Sequence, residues 1–216
     1  MKGFSLLFTL LLLNGICTAQ NWEAFKYESG DLLFQDMDCG EWCDAMEAVT
    51  PVAHNKRLSH VGIAYVNKDS VWVIEAWGAD VHLLPLRQFM LRQLDDLGRP
   101  KVMVGRVPAE YQNLAGRAVG FALEQRGKPY DLEFIYDNGK FYASELVFDA
   151  YKAANKGRAL FEVQQWSFSD PGNWKIHPFW QRYFEELQMK VPEGKSGFNP
   201  AALANDDNVE IVTSFY

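Results

Sequence analysis

The chain has 216 residues, 48% of them hydrophobic and 14% aromatic, enough for one globular domain with a sizeable core. Its net charge is −7 and it contains no basic run, which argues against a nucleic-acid partner. After the first twenty residues no apolar stretch is long enough to span a bilayer.

Residues 1–19 read as an export signal. Lys2 supplies the charged start, Phe4 through Leu13 the apolar stretch, and Cys17-Thr18-Ala19 the small-x-small cleavage pattern. Asn14-Gly15-Ile16 lacks the leucine and small residue expected before a lipidated cysteine, which argues against a lipoprotein. Gln20 is then the mature N-terminus, and residues 20–216 form a single domain in a periplasmic or extracellular compartment.

Gly30-Asp31-Leu32-Leu33-Phe34-Gln35 is a short apolar strand opened by a turn. Cys39 and Cys43 follow in Asp38-Cys39-Gly40-Glu41-Trp42-Cys43-Asp44. Two readings stay open for them: a local disulfide, favoured by an oxidising compartment, or two free, partly buried thiols. Neither reading makes them catalytic. Two thiols are too few for a metal, no Cys or His follows at finger-like spacing, and no metal site is expected.

Asp44 to Thr50 is predicted as a short helix with Ala45, Met46, Ala48 and Val49 on its apolar face and Pro51 after it. Three strands come next in quick succession, Leu58–Val66, Val71–Trp77 and Val81–Leu84. Asn67-Lys68-Asp69-Ser70 turns between the first two and Gly78-Ala79-Asp80 separates the second pair. Pro85–Gln93 is predicted helical with Pro85 near its first turn. Lys101–Val107 is a strand ended by Pro108. Glu110–Arg126 has helical spacing at Leu114, Val119, Ala122 and Leu123, with Gly127 just past its end. Tyr142–Ala154 is a further helix, and Glu210–Ser214 a last apolar run. The order gives an α+β class, a small antiparallel sheet packed against helices.

Within this frame His60 lies in the apolar run Leu58-Ser59-His60-Val61-Gly62-Ile63, where a core histidine with a satisfied hydrogen bond is the plain reading. Glu75, flanked by Ile74 and Ala76, changes the balance, because a carboxylate in an apolar strand is costly to bury unless paired. It stands fifteen residues after His60, so the second strand of a hairpin brings it back beside the first. A carboxylate there orients and charge-balances an imidazole. If Glu75 instead faces solvent, Ile74 and Ala76 share the buried face. His54, His82 and His177 have no such companions and are expected in surface or packing roles. Lys140-Phe141-Tyr142-Ala143-Ser144-Glu145-Leu146-Val147 feeds a helix N-terminus, where a thiolate gains from the macrodipole and free N–H groups, yet alanine occupies the position.

Taken in order, Gly30-Asp31-Leu32-Leu33-Phe34-Gln35, Ser59-His60-Val61-Gly62-Ile63, Val73-Ile74-Glu75-Ala76 and Tyr142-Ala143-Ser144-Glu145-Leu146 resemble the YiiX-like family. That family is the circularly permuted branch of the NlpC-type papain-like amidases, with histidine ahead of cysteine in the chain. The resemblance covers roughly Gly30 to Tyr151 and implies a permuted papain-like, NlpC-type fold. It implies His60 as general base, Glu75 as the residue orienting it, and Ala143 at the place of the nucleophilic cysteine. Tyr130, in Gly127-Lys128-Pro129-Tyr130-Asp131, matches a pocket position, and Tyr142 and Ser144 are the further substrate-binding candidates. The implied reaction is cysteine-dependent hydrolysis of an amide or acyl bond in a peptide-like, cell-wall-like or acyl-amide substrate, with no cofactor and a monomeric enzyme.

Three explanations compete for Ala143: a deliberate removal of the nucleophile, a natural pseudoenzyme that binds without cleaving, or a relocated nucleophile at Ser144 or Cys43. Ser144 projects about 100° further round the helix and Cys43 has no histidine at a readable spacing, so the third is disfavoured. With the first two explanations favoured, the chain as written is expected to be inactive. An exported binding protein is the other class, since seven Trp, nine Tyr and 15 Phe can build a ligand surface. Trp166, Trp174, Phe179 and Trp180 sit in a Pro- and Gly-punctuated stretch read as loop, and either line a cleft or pack beneath it.

Overall fold

The computed structural model describes residues 21–216; the export signal and cleavage point expected from the sequence fall outside the described residues. The elements run β1 (Leu32–Gln35), α1 (Glu41–Val49), β2 (His60–Asn67), β3 (Ser70–Trp77), β4 (Asp80–Pro85), α2 (Leu86–Leu91) and β5 (Val102–Arg106). A 3-10 turn at Ala109–Tyr111 then leads into α3 (Gln112–Glu124) and α4 (Ala143–Ala154). After these come β6 (Gln164–Gln165), α5 (Pro178–Glu186), β7 (Ser196–Gly197), α6 (Pro200–Ala204) and β8 (Glu210–Ser214). Six strands form one antiparallel sheet, the class the sequence pattern predicts; their order is β4-β3-β2-β1-β5-β8, and β6 and β7 pair separately.

Alternation along the strands feeds two cores. Phe34, Val61, Ile63, Ile74 and Ala76 belong to the larger one, with Leu146, Val147 and Tyr151 of α4 and Leu114 and Ala118 of α3. Leu33, Ala64, Val73 and Val104 belong to the second, with Phe89 and Met90 of α2 and Phe215. Central strands buried on both faces have no reason to alternate polar with apolar residues, which is why β2 reads as an unbroken apolar run. Gly62 sits where a Cβ would come within 2.5 Å of Val73 Cγ1 and 3.4 Å of the Phe89 ring. Its bareness makes room for the Val73 side chain of β3, over which the Phe89 ring of α2 also lies. At the sheet's other charged point, Asp31 is buried between two N–H groups of Arg106, whose Nε donates to Oδ1 (2.6 Å) and whose Nη2 donates to Oδ2 (2.8 Å).

One open reading is decided, and one stretch differs from expectation. Cys39 and Cys43 are joined in a disulfide, one of the two readings left open, around Gly40, whose φ of 75° turns the chain into α1. The stretch read as loop contains the start of α5. Pro178 stands at the first helical position, where its missing N–H costs nothing, and the His177 ring caps Phe179 N–H through Nδ1 at 3.3 Å. Trp166 and Trp180 are buried in the larger core, Phe179 packs against its edge, and Trp174 alone of the four is largely exposed.

Candidate active site

The sheet register assembles the site across four neighbouring strands. β1 pairs Gln35 with His60, and β3 pairs Glu75 with His82. His60 Nε2 lies 2.7 Å from Glu75 Oε2, with the imidazole 1% exposed and the carboxylate fully buried. The costly burial of Glu75 is therefore met by pairing. Alternation does not send Glu75 to solvent, because both faces of β3 are covered here.

Arg92, just beyond α2, supplies the rest. Its Nη1 and Nη2 donate to Glu75 Oε1 and Oε2, both at 2.7 Å, a two-pronged fork that fixes the carboxylate plane. Its Nε donates to Gln35 Oε1 (2.7 Å), and Gln35 Nε2 donates to the Phe89 carbonyl (3.0 Å). The guanidinium lies 4.4 Å from the Phe89 ring centre, a stacked position that lysine does not reproduce. Sequence reasoning missed Arg92 and Gln35. An arginine beside Phe89, Met90 and Leu91 at the end of an apolar helix was the available signal that a buried anion lay nearby.

His82 needs correction. It is not without a companion: its Nε2 donates to Glu75 Oε1 at 3.2 Å, while its other side reaches the Asp80 carbonyl at 3.2 Å. His54 and His177 fit the packing roles expected of them, His54 through the Ala204 carbonyl and His177 as a helix cap.

These contacts set the protonation states. Burial pushes Glu75 up, but the charges and hydrogen bonds of His60, His82 and Arg92 outweigh it and hold the carboxyl well below the usual carboxylate range. Burial lowers His60 below the ordinary 6.5, against the pull of Glu75. The hydrogen bond to Glu75 raises His82, which is partly exposed. An ionised Glu75 accepts only, so Nε2 of His60 carries the proton and the neutral ring presents Nδ1 as its basic nitrogen.

The pH dependence follows in sign. Glu75 and His60 both have lowered values in the fold, so each contributes stability that is full above its unfolded value and is lost as acid reaches its folded one. His82 does the opposite, contributing below its unfolded value and losing that share as pH rises through its raised one. Ring-proton NMR titration is expected to give His82 a midpoint above 6.5 and His60 one below it. The reverse order would show the network carries another charge state.

The remaining candidates sit around the start of α4. Ala143 is its first residue and belongs to the same core as Val61 and Ala76, the strand neighbours of His60 and Glu75. Tyr142 is buried, and its hydroxyl accepts the Phe198 N–H (3.2 Å). Ser144 is buried as well and donates to the Phe198 carbonyl (2.8 Å), so both side chains hold the α6 approach in place. Glu145 accepts the N–H of Asp137 (3.0 Å) and, more weakly, of Tyr142 (3.5 Å). Burial pushes its carboxyl up to about 8. Tyr130 instead faces a surface cleft with Trp42, Trp77 and Leu132.

A six-stranded antiparallel sheet with the helix α4 packed on it along its length, and a buried His–Glu pair on the central hairpin, is the arrangement that comparison with known proteins places in a family. The chain belongs to the family described as permuted papain-like amidase enzyme, YaeF/YiiX, C92 family, which it matches over residues 26–213. Among curated proteins it is 28% identical over 136 residues to "Uncharacterized protein YiiX" of Escherichia coli (strain K12), a stretch covering 61% of this chain and 60% of that protein. In three dimensions it resembles the "Crystal structure of metalloprotein yiiX from Escherichia coli O157:H7" with a TM-score of 0.69 and 22% identity. That match covers 88% of this chain and 98% of the other, and shows a common fold.

Proposed function

We propose that this chain is an exported hydrolase of the cysteine amidase or peptidase type whose nucleophile position is held by alanine. The observation that carries the reading is the buried His60–Glu75 pair, in which an ionised carboxylate pins Nε2–H and leaves Nδ1 basic. With cysteine at 143, Nδ1 takes the thiol proton and the thiolate adds to an amide carbonyl. The first N–H groups of α4 stabilise the oxyanion. His60 then protonates the leaving amine, a thioester remains, and water activated by the same nitrogen releases the acid. Ala143 removes the first of these steps and leaves a site able to bind without cleaving, the non-catalytic reading of the same cleft.

The structural neighbour from Escherichia coli O157:H7 is named a metalloprotein. The donor set in this chain does not suit a metal. Among the described residues no three His, Cys, Asp or Glu side chains are grouped to hold one, and both oxygens of Glu75 are engaged by a guanidinium whose charge opposes a second cation. No step of the mechanism is routed through a metal.

The test is Ala143→Cys screened against peptide, acyl-amide and ester substrates. Turnover with an acyl adduct visible by intact mass is expected, against none for the chain as written. A folded Ala143→Cys protein that cleaves none of the three classes and takes up no acyl group contradicts the reading.

A further inference from the structure

His82 is the most exposed member of the site network. Its side chain is 37% exposed, whereas His60 is 1% exposed and Glu75 is fully buried. It lies on the edge strand β4, opposite Glu75 in the register, and borders an open surface cleft with Asp80, Glu124 and Arg126. Both of its ring nitrogens meet acceptors. Nε2 reaches Glu75 Oε1 at 3.2 Å, while Nδ1 reaches the Asp80 carbonyl at 3.2 Å and Asp80 Oδ1 at 3.4 Å. A neutral imidazole donates through one nitrogen only, so this arrangement is complete only when the ring carries both protons. His60 is placed the other way. Its one hydrogen-bonded acceptor among the described residues is Glu75, at Nε2, and a neutral ring satisfies that bond.

Charge separates the two rings further. Glu75 and Asp80 are negative, and Arg92 with a protonated His82 balances them. Glu124 and Arg126, which share the cleft with His82, are of opposite sign. A second proton, on His60, would add an unbalanced charge to a buried position that already faces two cations. Both rings share one carboxylate, so they titrate as a coupled pair. The opposite directions of the two rings agree with this order. The hydrogen bond to Glu75 raises His82, whereas burial lowers His60, with the charges of Arg92 and His82 adding to it.

We propose that His82 is a positioning residue of this site: acting through Glu75, it takes up the first proton as the pH falls and so holds His60 in the neutral form that a general base requires. Above the pH at which His82 titrates, both rings are neutral. Below it a cation stands on Glu75, and His60 binds its own proton more weakly. The use of that neutral base rests on the amidase reading above; the coupling between the rings does not.

Ring-proton NMR titration of the chain as written, of His82→Gln and of His82→Arg tests this. His82→Gln keeps a donor toward Glu75 without a charge, and is expected to raise the His60 midpoint by about one unit. His82→Arg supplies a charge that does not titrate, and is expected to hold His60 at or below its parental midpoint. His82→Asn and His82→Lys serve if either variant does not fold. A His60 that has the same midpoint in the parent and the neutral variant, or that stays unprotonated to the same acid limit of the fold in both, overturns the proposal. So does an arginine variant that raises His60 as far as the glutamine variant does, since the effect is then one of packing rather than charge. A His60 midpoint that moves as expected beside an inert Ala143→Cys protein removes the amidase reading alone. Turnover by Ala143→Cys beside a His60 that ignores His82 removes this proposal alone.

Discussion

Replacing Arg92 with methionine is expected to destabilise the fold by about 3–5 kcal/mol in urea unfolding, because it strands a buried carboxylate. Glu75 is fully buried, and the guanidinium contacts both of its oxygens at 2.7 Å. His60, neutral, and His82, at the edge of the site, do not replace a fixed positive charge. Gln35 would lose its partner as well, leaving its Oε1 without the Arg92 Nε–H. The variant has one escape, which is to protonate Glu75, so the loss should shrink as pH falls. Arg87→Met is the control. Its pair with Glu23 is 69% and 59% exposed, and a change within about 0.5 kcal/mol is expected. Replacing Arg92 and Glu75 together with methionine should recover much of the loss, since no charge is then left unpaired. An Arg92→Met protein within about 1 kcal/mol of the parent would mean that Glu75 is not held as an ion.

The fold is legible where burial writes itself into composition. β2 and β3 announce themselves as apolar runs around one histidine and one glutamate, and the cost of burying Glu75 is enough to seek it a partner in His60. The second and third partners are hidden for different reasons. His82 is within reach of counting: the tight Gly78-Ala79 turn pairs Trp77 with Asp80, which sets Glu75 opposite His82. Reading that turn only as a separator of strands passes over the register it imposes. Arg92 is legible only in part: an arginine after Phe89, Met90 and Leu91 points to a buried anion, but which anion depends on how α2 packs on the sheet, a tertiary contact. α5 is masked by its own punctuation, since Pro178 starts a helix in a stretch whose prolines and glycines suggest a break. Tyr142 and Ser144 flank the key position in sequence, yet a helix start sends neighbouring side chains in different directions, and theirs go to Phe198.

The second large effect concerns the thiol that Ala143→Cys would introduce. With Cys39 and Cys43 tied together, it would be the one free thiol among the described residues, so alkylation reports on it alone. A free thiol titrates near ~8.5, whereas one at a helix N-terminus beside an imidazole falls to about 3.5–7.5. In the proposed site the start of α4 supplies the first influence and Nδ1 of His60 the second. His60→Ala in the same background should move the value back toward ~8.5, separating the imidazole's share from the helix's.

The most direct test of an amidase site lacking only its nucleophile is therefore the pH dependence of iodoacetamide labelling of the Ala143→Cys protein, followed by mass. A labelling midpoint at least about one unit below the free-thiol value is expected, with a rise when His60 is replaced. A midpoint near ~8.5 that does not respond to His60 would contradict that site.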